Sequence, residues 1–145
     1  MTTKIGKFLN LNQFAVVGAS TNKSKFGNRI LLAYHQYGRN VIGINPKEKE
    51  IEGIRCLPTL IELLQNTDEG SQTVGVSFVT PPSVSLTVLD EIHNKNMMNR
   101  VKLWFQPGSY DNNVIAKCQE IEIGEDDFIH DGACVLVEMP RHPKL

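Results

Sequence analysis

Apolar positions in this chain fall into two kinds of run. Short solid runs alternate with longer stretches in which apolar residues return every three or four positions. "FAVV" (Phe14–Val17), "NVIGIN" (40–45), "TVGVSFV" (73–79), "VKLWF" (Val101–Phe105) and "FIHD" (128–131) have the length and the β-branched or aromatic content of buried strands. Between them, "GNRILLAYHQYG" sets Ile30, Ala33, Tyr34 and Tyr37 at helical spacing, with Gly38 placed to stop the helix. "TLIELL" opens with Thr59 and Glu62 at capping-box spacing directly after Pro58. In "PPSVSLTVLDEIHNKNM", Val84, Val88, Leu89 and Ile92 share one helical face, and Pro82 suits the first turn. Asp111 reads as the N-cap of a helix running to Gly124. The segment after "FIHD" has no clear period.

Strands separated by helices imply parallel pairing through right-handed crossovers. The expected fold is α/β: one Rossmann-like domain over residues 1–145, a doubly wound five-stranded parallel sheet with helices on both faces. The first and fourth strands are expected to be adjacent at its middle. Such sheets bind ligands beyond the carboxyl ends of their strands, near the switch point. That directs attention to the loops starting at Gly18, Asn45, Thr80 and Gln106.

Composition narrows the partners. Fifteen Lys and Arg oppose sixteen Asp and Glu, so no global field points to nucleic acid or an anionic membrane. A hydrophobic content of 41% speaks against disorder, and no apolar run has the length of a membrane span. The start "MTTKIGKFLN" shows no signal-peptide pattern, so the expected location is cytoplasmic. Cys56, Cys118 and Cys134 are odd in number and far apart, which argues for reduced thiols rather than disulfides or a zinc site.

The first loop, "GASTNKSKFGN", carries the most chemistry. Gly18 permits a tight exit from the strand, Ala19 and Ser20 let a ligand approach the backbone, and Gly27 enters the helix. Free N–H groups and the dipole at that helix start form an anion site, reinforced by Lys23, Lys25 and the hydroxyls of Ser20 and Thr21. Gly27 lies nine residues after Gly18 and Ser20 replaces a middle glycine, so neither GxGxxG nor GxxxxGK[ST] is present. The loop suits a different diphosphate. In "INPKEKE", Pro46 holds the turn, Asn45 donates or accepts, and Lys47 stands where NAD-binding folds carry a carboxylate for the ribose. A lysine there attracts a phosphorylated ribose, as in the 3′-phosphate of coenzyme A or the 2′-phosphate of NADP. A solvated lysine paired with Glu48 or Glu50 is the plain alternative. "VTPPS" offers Thr80 and Pro81 as a rigid wall. "WFQPGSYD" presents Gln106 as a polar contact, with Trp104 and Phe105 read as core.

The pieces "VVGAS…K.G", "GINPK", "FVTPP" and "LWFQPG", in that order, span Phe14 to Gly108. With them the chain resembles the CoA-binding domain family, stand-alone relatives of the amino-terminal domain of the succinyl-CoA synthetase alpha subunit. The resemblance implies that Gly18, Ala19, Ser20, Lys25 and Gly27 cradle the diphosphate of CoA or an acyl-CoA. It implies that Asn45, Pro46 and Lys47 meet the adenosine end, that Thr80 and Pro81 wall it, and that Gln106 lies toward the pantetheine or acyl group. Many stand-alone members carry an Asp-Arg-Cys segment after the last strand. This chain reads "HDGACVLVEMPRH", in which Cys134 is the candidate equivalent. The synthetase's phosphorylated histidine belongs to a further domain, so ligase activity does not carry over.

No Ser-His-Asp order, HExxH or metal-ligand spacing is present. His130 beside Asp131 is the one histidine worth weighing as a base, and neighbours on a strand point to opposite faces. The first expectation is a binding module for a small CoA ligand, without evident catalysis. The alternatives are a small NADP-binding oxidoreductase and a degenerate fold whose surface binds a protein.

Overall fold

The computed structural model of the chain describes residues 3–66 and 72–143. In chain order the elements are α1 (Lys4–Leu9), β1 (Gln13–Val17), α2 (Phe26–Gln36), β2 (Val41–Ile44), β3 (Glu50–Ile51), β4 (Ile54–Leu57), α3 (Leu60–Asn66), β5 (Val74–Phe78), α4 (Pro82–Asn94), β6 (Val101–Phe105), α5 (Asn112–Glu120), β7 (Phe128–Ile129) and α6 (Val135–Glu138). Single 3₁₀ turns occupy Met98–Arg100, Glu125–Asp127 and Met139–Arg141. Local chemistry accounts for several boundaries. Thr3 caps α1 by accepting from Gly6 N, Thr59 Oγ1 accepts from Glu62 N, and Asp111 caps α5 by accepting from Val114 N. Gly38, at φ +75°, turns the chain after α2.

The seven strands lie in the order β3-β4-β2-β1-β5-β6-β7. Every pairing is parallel except the antiparallel β3–β4 hairpin. Side chains alternate across the sheet. Phe14 and Val16 of β1 face one layer with Ile30, Leu31, Tyr34, Trp104 and Met139. Ala15 and Val17 face the other with Leu89, Ile92, Leu103 and Val114. Helices therefore cover both faces, which is why β5 is buried along its whole length. On the first face Phe8 meets Trp104 edge-on at 5.2 Å, and Tyr34 Oη pairs with Ser77 Oγ at 2.7 Å to fix α2 to β5.

Four sequence expectations change here. The sheet has seven strands rather than five and is only mostly parallel, because "EIEGIRCL" folds into the β3–β4 hairpin. Glu52 and Gly53 both take positive φ, +52° and +80°, as a two-residue hairpin turn requires. The strands are short and their outward residues Glu50 and Arg55 are charged, so no apolar run announces them. The partner of β1 at the sheet's centre is β5, the third strand expected from sequence, not the fourth. The chain winds outward from β1 through β2 and β4, then crosses back to β5 and continues to β7, which puts the switch point between β1 and β5. Helix α5 stops at Glu120 instead of Gly124, because Glu122 adopts φ +60°. The apolar face read for α4 is also adjusted: Val84 is exposed, and Ser85, Leu89 and Ile92 form the buried stripe. The unread segment after "FIHD" holds α6, and α1 was not anticipated either.

Candidate functional site

The loop after β1 is built by close backbone approach. Gly18 sits at φ +100°, and a Cβ there would come within 2.7 Å of Val79 Cγ2. A Cβ on Gly27 would lie 2.0 Å from the carbonyl oxygen of Gly18, so only glycine allows α2 to start against the end of β1. The intervening residues are tied down by amides. Asn45 Nδ2 donates to Ala19 O at 2.9 Å, and buried Asn28 donates from Nδ2 to Ser20 O at 2.9 Å and to Glu52 Oε2 at 3.3 Å. Ser20 Oγ accepts from Asn22 N, and Asn22 Oδ1 accepts from both Ser24 N and Ser24 Oγ.

Helix α2 begins after Lys25 without a side-chain cap. The first-turn N–H groups of Phe26 and Gly27 have no partner within the helix. Both residues border an open cleft of 580 Å³, whose other walls are Gly18, Ala19, Ser20, Ser24, Lys25, Val79, Thr80 and Pro81. None of these residues is acidic. Ser85 Oγ donates its single proton to Ser109 O at 2.8 Å, so Thr80 Oγ1, 2.8 Å away, is the donor of the Thr80–Ser85 bond. Thr80 thus presents acceptor lone pairs rather than a free donor.

A second cavity, of 190 Å³, lies beside this cleft and shares Phe26 and Val79 with it. Ile30, Gln106, Pro107 and Cys134 complete its largely apolar wall. Gln106 is 3% exposed. Its Oε1 accepts from Val135 N at 3.0 Å, while its Nε2 has no acceptor among the described residues. Such a buried donor costs free energy until something accepts from it.

Seven of the residues expected from sequence therefore meet in the cleft: Gly18, Ala19, Ser20, Lys25, Gly27, Thr80 and Pro81. Gln106 lines the adjoining cavity. Asn45 is a strut, since its Oδ1 also accepts from Lys47 N and Glu48 N. Pro46 and Lys47 are exposed beyond Asn45 and line neither cavity. Lys47 forms no ion pair with Glu48 or Glu50 among the described residues. Sequence reasoning missed Asn28 and Glu52, which hold the loop from behind. A polar residue inside an apolar helix face was the available signal for Asn28. Nothing local marks Glu52, whose role depends on the hairpin.

His130 stands apart from both cavities. It stacks on Phe128 at 4.8 Å, two residues away on the same strand side, and its Nε2 lies 3.6 Å from Glu125 Oε2. Asp131 turns away, accepting from Ala133 N at 3.0 Å. Burial pushes the thiol of Cys118 up to about 12 and raises that of Cys56, which leaves half-buried Cys134 as the accessible cysteine.

Backbone N–H groups, the Ser20 hydroxyl and the Lys25 ammonium around one open, carboxylate-free cleft suit a diphosphate. The largely apolar second cavity, with Gln106 in its wall, suits an uncharged arm. A sequence profile of the CoA binding domain matches residues 12–140. This chain belongs to the CoA-binding domain family. A conserved hypothetical protein from Pyrococcus furiosus is 33% identical, with a TM-score of 0.73 over 88% of this chain and 99% of that one. An ADP-forming acetate–CoA ligase of Archaeoglobus fulgidus is 37% identical over 54 residues, which are 37% of this chain and 8% of the ligase. The dinucleotide forming acetyl-coenzyme A synthetase 1 of Ca. Korarchaeum cryptofilum, solved with phosphate and ADP, shares the fold at 22% identity. Its TM-score is 0.62 over 91% of this chain and 28% of the synthetase. The chain thus spans a small part of the ligase and synthetase it matches. Among the described residues no helix is long and apolar enough to cross a membrane.

Proposed function

We propose that this CoA-binding domain family member binds coenzyme A or a short acyl-CoA as a binding module, without a catalytic step of its own. The observation that carries the reading is the adjacency of an open, carboxylate-free cleft and a smaller, largely apolar cavity that share Phe26 and Val79. Gly18, Ala19, Ser20, Lys25 and Gly27 hold the diphosphate. Thr80 and Pro81 form the wall beside it, and Gln106 faces the pantetheine arm. Asn45 braces the loop, and Pro46 and Lys47 place an exposed ammonium beside the 3′-phosphate of the ribose. A nicotinamide nucleotide has a phosphate to offer Lys47 but no thin apolar arm for the second cavity.

Thermal unfolding with matched concentrations of CoA, dephospho-CoA and NADPH tests this. A ligand at a hundred-fold excess over Kd stabilises by about 2.7 kcal/mol. We expect the largest shift with CoA, a smaller one with dephospho-CoA and a smaller one than CoA's with NADPH. A larger shift with NADPH would replace the CoA reading with the oxidoreductase one.

A further inference from the structure

Cys134 lines the same small cavity as Gln106, whose buried Nε2 lacks an acceptor. The backbone on either side of this cysteine is fixed. Trp104 Nε1 donates to Ala133 O at 2.9 Å, and Val135 N donates to Gln106 Oε1 at 3.0 Å. Trp104 and Gln106 stand two residues apart along β6 and its extension, so one strand anchors both neighbours of Cys134. The sulfur is thereby held at the wall of the cavity rather than on a free loop.

Size and polarity define what enters. A cavity of 190 Å³ is small beside a whole coenzyme and suits the slender end of its arm. That end is a mercaptoethylamide: carbonyl carbon and oxygen, nitrogen, two methylenes and sulfur. Its carbonyl oxygen is the acceptor that Gln106 Nε2 lacks, and its methylenes suit Phe26, Ile30 and Val79.

We propose that Cys134 is a modification site for CoA itself, forming a mixed disulfide with the sulfur at the end of the bound arm. The inference rests on the CoA reading of the cleft. The co-reactant is a disulfide of CoA. Cys134 gives up its proton and its thiolate attacks the sulfur of the CoA half seated in the cleft. The S–S bond of the reagent breaks as the new S–S bond forms, and the other half leaves as a CoA thiolate that takes up a proton. One disulfide is consumed and one is made, so no further oxidant is needed. Seating the nucleotide first makes the exchange effectively intramolecular.

The test is intact-protein mass spectrometry of the full chain under non-reducing conditions, with CoA disulfide and, separately, cystamine, a small disulfide without a nucleotide. One CoA adduct is expected, mapped to the Cys134 peptide, reversed by dithiothreitol and absent in Cys134→Ser. CoA disulfide should react at least about tenfold faster than cystamine, and excess ADP should remove that advantage. Equal rates with the two reagents would make Cys134 an unguided surface thiol and overturn the proposal. So would the absence of an adduct in a protein whose thermal midpoint still rises with CoA. Absence of both the adduct and the CoA shift would overturn the binding reading beneath it.

Discussion

The two ends of the cleft are made differently. The wide end is made by backbone: two glycines that tolerate no Cβ, an uncapped helix start and carbonyls tied back by Asn28 and Asn45. The narrow end is made by side chains: Phe26 and Ile30 from α2, Val79 from the end of β5, Gln106 from the end of β6, and Cys134 from the segment before α6. A backbone site recognises what all phosphates share and fails when its geometry is disturbed. A side-chain site recognises particular chemistry and changes by degrees. Substitutions at the wide end should therefore disturb fold and binding together, whereas those at the narrow end should separate ligands from one another.

The largest effect is expected from Gly27→Ala. Alanine normally improves a helix over glycine, but here its methyl would sit 2.0 Å from Gly18 O, a backbone atom that cannot move without displacing β1. Overpacking of this kind costs about 3 kcal/mol, which lowers the thermal midpoint by roughly 10 °C in a domain of this size. ADP and CoA binding should fall together. A variant as stable as the parent, with ADP binding intact, would remove the claim that backbone approach builds this end.

Gln106→Leu should act more gently and more selectively. It leaves Val135 N without its acceptor but also removes the orphaned Nε2, for a net cost of about 1 kcal/mol. Calorimetric titration should show ADP affinity unchanged and CoA affinity reduced about tenfold, or about 1.4 kcal/mol. Equal losses for both ligands would erase the distinction between the two ends.

Lys47→Ala should give the smallest change. The residue is exposed and lines neither cavity, so its contact with a ribose phosphate is worth about 0.2–1 kcal/mol. The variant should narrow the gap between CoA and dephospho-CoA, and moderate salt should narrow it in the parent to a similar degree. An unchanged gap in low salt would take Lys47 out of the site.

The same contrast explains what could be read from the sequence. The loop after β1 is contiguous, and its glycines and small residues are themselves the signal, so Gly18 to Gly27 were identifiable as a unit. Thr80–Pro81 and Gln106 were legible because they directly follow strands whose apolar runs are plain. Which loops meet was less accessible, since it depends on strand order. With β5 rather than β6 beside β1, Thr80 packs on Gly18 and Gln106 is displaced one strand outward into the apolar end. The hairpin was hidden because two-residue β3 and charged alternation carry almost no periodic signal. Cys134 shows the limit most clearly. Its sequence neighbourhood gives no period, and its place at the cavity is set by bonds to Trp104 and Gln106 about thirty positions earlier.

Arg39 has a consequence at the opposite rim. Its buried guanidinium donates to Leu9 O at 3.2 Å and to His142 O at 2.7 Å, clasping the first helix and the last turn to the start of β2. Gly6 and His142 approach so closely that a Cβ on Gly6 would lie 3.6 Å from the imidazole. The clasp sits where the strands begin, and the cleft lies where they finish, about 17 Å away for a strand of five residues. A fluorophore, a surface tether or a fused partner attached beside this clasp hangs from the underside of the sheet. It can report on ligand capture at the other rim without standing in the ligand's way.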